Sequence, residues 1–261
     1  MTHPTANDRA ELLLSPEVKR YLASTRLCII SPMANEADNC LRFVSEMLRQ
    51  AEGFGDVLLL AILDSVSKDN TLELLREFAQ REPRLRVIWA PENRGIVDAY
   101  LRAYREGLAT GFEWVLEIDA GFSHKPEDLP RFFAPMSRGY DIVFGSRFAP
   151  GGRITDSSFA RRLVSQGGTI LTNLLVGTKL YDMTSGYQMF RREALAAIVD
   201  RGIKSRGHFF QTEMKVYARK MRVTEVPIHY SAASKRMNMK SIRDAFGRLF
   251  SLCWDRLHGR L

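Results

Sequence analysis

Apolar residues fall in short dense runs, separated by polar stretches in which hydrophobic positions recur every three or four residues. The runs are Leu27-Cys28-Ile29-Ile30, Val57–Leu63, Leu85–Trp89, Trp114–Ile118 and Asp141–Phe144. Each has strand length and strand composition, as expected of strands buried on both faces. Between them, Ala37–Gln50, Thr71–Arg81, Ile96–Leu108 and Pro126–Ser137 read as helices, with Leu72, Leu75 and Phe78 sharing one face of the second. Strand and helix alternate about five times before Gly145. That alternation predicts βαβ units and an α/β fold with a mainly parallel central sheet flanked by helices.

Ahead of the first strand, Ser15-Pro16-Glu17 opens a short helix, with Ser as N-cap and Pro in the first turn. After Gly145 the texture changes. Ala149-Pro150-Gly151-Gly152 reads as a turn or a mobile lid, and Phe159 to about Val176 as a long helix. Strand-like pieces follow at Tyr187–Phe190 and Val223–Ile228, with a helix over Phe210–Lys220. The tail, Ser241–Leu257, is amphipathic, with Ile242, Phe246, Leu249, Phe250, Cys253 and Leu257 on one face. Such a helix suits either packing on the core or a membrane surface. The expected organisation is a helical extension over 1–24, the main domain over 25–240 and a C-terminal amphipathic helix over 241–261.

Length and charge narrow the picture. The chain of 261 residues suits one large α/β domain. Its net charge of +8 favours an anionic partner such as a nucleotide, a lipid phosphate or a membrane surface. No Lys/Arg block of the kind found in nucleic-acid arms is present, so no nucleic-acid partner is expected. Cys28, Cys40 and Cys253 are widely spaced with no C-x-x-C pair, which argues against a zinc site or a disulfide framework and fits a reducing compartment. Met1–Ala10 lacks an apolar signal core, and no apolar run approaches the ~20 residues of a spanning helix. The expected location is cytoplasmic, peripheral at the membrane.

In parallel α/β sheets ligands sit beyond the carboxyl ends of the strands. Polar and acidic segments fall there: Ser31-Pro32-Met33-Ala34-Asn35-Glu36 after the first strand, Asp64 after the second, Pro91-Glu92-Asn93-Arg94-Gly95 after the third and Glu117-Ile118-Asp119 at the fourth. Converging carboxylates at such a rim suit a divalent cation or contacts to a ribose and base.

The order of these segments resembles a family-2 glycosyltransferase, the group with the GT-A nucleotide-sugar fold, and within it the polyprenyl- or dolichyl-phosphate mannose synthases. The likeness runs from about Leu27 to Lys240. Pro32-Met33-Ala34-Asn35-Glu36 stands for the family's P-x-x-N-E, Asp64 through Thr71 for its D-D-x-S-x-D-x-T, and Asn93-Arg94-Gly95 for N-x-G. Asp119-Ala120-Gly121-Phe122-Ser123-His124 corresponds to the metal segment; Gly145-Ser146-Arg147 and Thr184-Ser185-Gly186-Tyr187 complete the set.

The resemblance implies roles. Pro32, Asn35, Glu36, Asp64, Asn93, Gly95 and Ala120 would bind the nucleotide sugar. Asp119, with Ser123, would hold Mg²⁺ or Mn²⁺ under the diphosphate. Arg147, Arg161, Ser165 and Lys240 would hold the acceptor phosphate, and Asp119 and Arg147 would carry catalysis. A guanidinium fork suits a phosphate, and Arg161 and Ser165 lie one helical turn apart. His124 is expected to be a loop hydrogen-bonder. This chain departs from the family's D-A-D at Gly121, which implies a weakened metal site, and has Ser65 where a second Asp is usual. The family's R-x-x-G-x-S-K aligns with Ser234 to Lys240, where only the lysine is kept.

The implied reaction is an inverting sugar transfer from a nucleoside diphosphate sugar, GDP-mannose by resemblance, to a phosphate-bearing acceptor such as polyprenyl phosphate. Such an acceptor is already anionic and needs positioning rather than a base; a hydroxyl acceptor would need one, with Glu213 or His208 as candidates. A soluble small-molecule acceptor and a non-catalytic nucleotide-sugar-binding module stay open as alternatives.

Overall fold

A computed structural model describes residues 14–156, 158–231 and 239–261, apart from the side chains of 160–161 and 239–242. Its centre is a seven-stranded sheet in the order β3-β2-β1-β4-β7-β5-β8. The strands are β1 (Arg26–Pro32), β2 (Asp56–Leu63), β3 (Leu85–Trp89), β4 (Trp114–Glu117), β5 (Ile142–Ser146), β7 (Gln188–Arg191) and β8 (Val223–Pro227). β1 pairs parallel with β2 and β4, β2 with β3, and β5 with β8, while β7 runs antiparallel between β4 and β5. A small parallel pair, β6 (Arg153–Thr155) and β9 (His229–Ser231), lies beside it.

Successive strand side chains point to opposite faces, and here both faces are buried. Leu27, Ile29, Leu59, Ala61, Trp114, Leu116, Val143 and Met189 fill one core layer, against α1 (Pro16–Ala23), α2 (Cys40–Gln50), α3 (Thr71–Ala79) and α5 (Phe133–Ser137). Cys28, Ile30, Leu60, Ile62, Val115, Ile142, Phe144 and Phe190 fill the other. That second layer is covered by α4 (Ile96–Ala109), α6 (Phe159–Val176), α7 (Arg192–Asp200), α8 (Phe210–Tyr217) and α9 (Met239–Leu257). The apolar density of the central strands is explained by this double burial.

The helix before β1 starts as expected, with the Val18 N–H donating to Ser15 Oγ at 3.3 Å, and its Leu22 is buried in the first layer. Elsewhere the boundaries move for local reasons. The stretch expected as one helix, Pro126–Ser137, is a 3-10 turn over Pro126–Phe132 followed by α5, because Pro130 has no N–H to give an α ladder. The strand expected over Val223–Ile228 is β8, which stops at Pro227, and a second short strand, β9, follows it. The helix at Phe210 ends at Tyr217 and passes into a 3-10 turn, Ala218–Lys220. α7 and β6 carried too little periodicity to be expected at all.

The tail helix buries Leu249 and Leu252 on the core, whereas Phe246, Phe250, Trp254 and Leu257 are exposed. The face drawn from its sequence therefore splits between core and solvent. α6 packs beside it and exposes Phe159, Leu163, Ile170 and Leu174. Among the described residues no helix is long and apolar enough to cross a membrane.

α4 lies close on the sheet at Gly107, where a Cβ would meet Ile30 Cγ2 at 3.1 Å and Val115 Cγ1 at 3.2 Å. Gly107→Val should overpack this contact and cost ~1–3 kcal/mol. The expected sign is a lower urea midpoint at unchanged m value.

Candidate functional site

The register pairs Ile30 of β1 with Leu60 on one side and with Glu117 on the other. Pro32, Asp64 and Asp119 therefore leave the sheet at one edge. β5 runs the same way as β4, being antiparallel to the β7 between them, so Arg147 leaves at that edge too. The segment Thr184–Tyr187 enters β7 there, and Gly95 caps α4 on the same side after β3.

The first two loops are stitched together. Asn35 has a left-handed backbone, φ 58°. Its N–H donates to Ser67 Oγ (3.1 Å), its side-chain amide donates to the Val66 carbonyl (3.3 Å), and its Oδ1 accepts from the Lys68 N–H (2.8 Å). The Glu36 N–H donates to Thr71 Oγ1 and the Ala37 N–H to Asp69 Oδ2. Asp64 is buried and accepts from the Val66 N–H at 2.9 Å, a turn formed by its own side chain. Asn35 and Asp64 thus shape the loops through these bonds. Asn93 carries a buried amide nitrogen without a hydrogen-bond partner, and Gly95 is fully extended with open space where a side chain would project.

Asp119 stands at the middle of the rim, its side chain 42% exposed. It accepts a hydrogen bond from the Tyr100 hydroxyl, and His124 Nδ1 lies 3.5 Å from its Oδ2. Burial alone would raise its pKa; His124, the Tyr100 hydroxyl and the charge of His208 hold it below the usual carboxylate value. Directly beneath, Glu117 is fully buried among Tyr104 (2.5 Å), Gln188 (3.2 Å) and Gln211. Burial pushes its carboxyl up to about 8, against the hydrogen bonds that favour ionisation. Tyr100 and Tyr104 are one turn apart on α4, as Glu117 ends β4 and Asp119 follows two residues on. One helix face thereby serves both acids.

Arg147 is buried and paired with Asp182: Nε lies 2.7 Å from Oδ2 and Nη2 2.8 Å from Oδ1. Nη2 also donates to Thr184 Oγ1. Burial favours loss of the Arg147 proton, but Asp182, Tyr230 and Asp119 outweigh it and its pKa is raised. Although burial would raise the Asp182 pKa, Arg147 holds it well below the usual range. Lys215, fully buried, donates to the Asp182 and Ser185 carbonyls at 2.8 and 3.0 Å, and burial brings its pKa down to about 8. The Tyr230 ring bridges the rim, with its centre 4.9 Å from that of His124 and 5.3 Å from the Arg147 guanidinium carbon. Asp119, His124, Tyr230 and Arg147 are therefore consecutive neighbours.

Ser165 is half-buried on α6. The side chains of Arg161 and Lys240, and the segment 232–238, lie outside the described residues. Ser123 ties the segment after Asp119 to β9 through its carbonyl, which accepts from the Ser231 N–H at 2.8 Å. Ala120 is half-buried against the first core layer, and Pro32 half-buried at the end of β1. Glu213, a candidate base for a hydroxyl acceptor, is fully buried: Ser205, Lys204, Tyr217 and Arg248 all donate to it. His208 is exposed, near enough to act on Asp119. A separate cavity of about 350 Å³, lined by Leu14, Lys19, Leu22, Arg49, Gln50 and Phe133, lies at the opposite sheet edge, where α2 ends.

Among the described residues no three His, Cys, Asp or Glu side chains gather closely enough to hold a metal ion by themselves. The rim does fit a hydrated cation shared with a ligand's oxygens. Asp119 offers a carboxylate to solvent, and the buried His124 beside it has both ring nitrogens without hydrogen-bond partners. His124, expected as a loop hydrogen-bonder, is instead buried with neither ring nitrogen hydrogen-bonded, and little in the sequence marks the roles of Tyr100, Gln188, Gln211, Asp182 and Tyr230. Only the Tyr100/Tyr104 spacing on α4, matched to Glu117/Asp119, left a usable signal.

A mainly parallel sheet with one inserted antiparallel strand and an acidic rim at its carboxyl edge is the GT-A architecture of nucleotide-sugar transferases. The chain belongs to glycosyl transferase family 2, whose model matches residues 28–199, and it is a glycosyltransferase. It is 33% identical to an undecaprenyl-phosphate mannosyltransferase of Micrococcus luteus, over 78% of this chain and 83% of the relative. It is 31% identical to a polyprenol monophosphomannose synthase of Mycolicibacterium smegmatis, over 90% and 89% of the two chains. Among solved structures it resembles glucosyl-3-phosphoglycerate synthase from Mycobacterium tuberculosis in complex with Mn²⁺, UDP-glucose and phosphoglyceric acid. That TM-score is 0.65 at 17% identity, covering 91% of this chain and 82% of the other.

Two outcomes test the electrostatics. Folded Glu117 keeps its proton to about 8, whereas a free glutamate releases it near 4.5. The folded state therefore binds more protons in that window, and the Glu117 contribution to stability falls as pH rises through it. Glu117→Gln should gain stability relative to the parent chain between those pH values in paired urea titrations; a constant difference would show that Glu117 is ionised throughout. Arg147→Ala should leave Asp182 buried and unpaired and cost ~3–5 kcal/mol, measured by chemical denaturation.

Proposed function

We propose that the chain transfers mannose, with inversion, from GDP-mannose to a polyprenyl phosphate at a membrane surface. The observation that carries this reading is the single rim joining Asp119, through His124 and Tyr230, to the cationic Arg147. A donor diphosphate would lie over Asp119 and an acceptor phosphate toward Arg147. The names of the relatives, both polyprenyl-phosphate transferases, support the acceptor class and the sugar.

In the step itself, an acceptor phosphate oxygen attacks the anomeric carbon. The bond from that carbon to the donor's diphosphate oxygen breaks, and the nucleoside diphosphate leaves with the electron pair. Mg²⁺ or Mn²⁺, bound by Asp119 and the diphosphate, would neutralise the charge that grows on the leaving group. Tyr100 and His124 hold the Asp119 carboxylate in place for this. The pair with Asp182 fixes Arg147 at the acceptor end, where its positive charge would draw a phosphate. A phosphate needs no base, which agrees with Glu213 being enclosed by donors.

The exposed apolar residues of α6 and α9 and the +8 charge support peripheral contact with an anionic bilayer. The expected arrangement is a main domain over 25–240 flanked by 1–24 and 241–261, in the cytoplasm.

The test uses the full chain with radiolabelled GDP-mannose or UDP-glucose, offered polyprenyl phosphate in micelles or a soluble sugar-free phosphate. Label should pass from GDP-mannose into lipid, with β-configured product by NMR, and Asp119→Asn should lose ~10²–10³-fold. Transfer only to the soluble acceptor would replace the lipid reading, and no transfer from either donor would overturn the proposal.

A further inference from the structure

Gly121 lies two residues beyond Asp119 with a left-handed backbone, φ 81°. A Cβ built there would sit 2.8 Å from both carboxylate oxygens of Glu36 and 3.1 Å from its carboxyl carbon. The space that a side chain at 121 would take is held instead by the carboxylate of Glu36, which arrives from the loop after β1. That loop is fixed by Asn35, through Ser67 and Lys68, and by the bond from the Glu36 N–H to Thr71. An aspartate at 121 would carry its carboxyl carbon about 1.5 Å from its own Cβ. The Glu36 carboxylate therefore lies close to where a second acid of the metal segment would reach.

His124 supplies an independent pointer. Its side chain is 2% exposed, both ring nitrogens lack hydrogen-bond partners, and Nδ1 is directed at Asp119 from 3.5 Å. Buried polar atoms are nearly always hydrogen-bonded, and leaving one unmet costs ~1–3 kcal/mol. With Nδ1 met only by the 3.5 Å contact to Asp119 and Nε2 unmet, this imidazole beside a half-exposed carboxylate marks the place where a cation with its water would complete the set.

We propose that Glu36 supplies the second carboxylate of the cation site at Asp119, restoring from the β1 loop the acid that Gly121 lacks. The inference rests on the reading of Asp119 as the cation site of the donor diphosphate. It moves Glu36 from the nucleoside pocket, where the family likeness puts it, to the metal. Two carboxylates from different loops, diphosphate oxygens and water make an all-oxygen shell of the kind Mg²⁺ and Mn²⁺ take. Gly121 is then what admits Glu36 in this position: a Cβ at 121 would oblige the Glu36 carboxylate to shift.

The probe is Mn²⁺ itself, titrated into the full chain with saturating GDP and, separately, UDP, with free Mn²⁺ read by electron paramagnetic resonance. Asp119→Asn should abolish binding. Glu36→Gln should weaken it by about tenfold or more, while calorimetric binding of GDP without metal stays unchanged. The double variant Glu36→Ala/Gly121→Asp should recover most of the affinity, a gain that no misfolded chain could give. Unchanged Mn²⁺ affinity in Glu36→Gln, or an equal loss of metal-free GDP binding, would overturn the role of Glu36 and leave the Asp119 reading standing. A parent chain that takes no Mn²⁺ with either nucleotide would overturn both.

Discussion

Parallel pairing of β1 with β2 on one side and β4 on the other is the constraint from which the site follows. Each strand enters the sheet buried on both faces, so it can end only where its backbone meets solvent. Parallel register makes those ends coincide, and Pro32, Asp64 and Asp119 are delivered to one line. The inserted strand β7 extends this geometry rather than disturbing it. Being antiparallel to both neighbours, it lets β5 run with β4 and brings Arg147 to the same edge. A one-residue slip in β1 would reverse every side chain between the two core layers, so the packing that stabilises the sheet also fixes the rim.

Charge is handled differently at the two ends of that rim. At Asp119 the carboxylate keeps a solvent-facing side and is steadied by a phenol and an imidazole. At Arg147 the cation is enclosed with Asp182, and the loop carrying Asp182 is itself held by Lys215 from below. A buried pair of this kind adds little net stability over an apolar substitute but penalises heavily the loss of one partner. Its value here is positional: the guanidinium is held in one orientation beside the Tyr230 ring.

Much of this was legible in the sequence where periodicity was strong. The first five strands and the helices between them read directly from apolar runs of strand length, and the strand-end acids identified the rim. What escaped had physical reasons. Tyr187–Phe190 reads as strand-like and is β7, but nothing in Gln188–Arg191 announces antiparallel pairing. α7 follows it without an intervening loop. Pro130 turned an apparent helix into a 3-10 segment. In the site, the long-range partners Asp182 and Tyr230 stand 35 and 83 residues from Arg147, a separation across which single-sequence spacing carries no information. The carboxylate of Glu36 beside Gly121 is of the same kind, since only the fold brings the two loops together.

The enclosed carboxyl of Glu117 has one more consequence. A proton retained there at neutral pH means that the floor beneath Asp119 carries no formal charge. An anionic ligand at the rim would therefore meet no further negative charge stacked directly beneath Asp119. The burial that keeps this proton acts, in effect, as an insulator, sparing an anionic ligand a repulsion that in so dry a layer water could not screen.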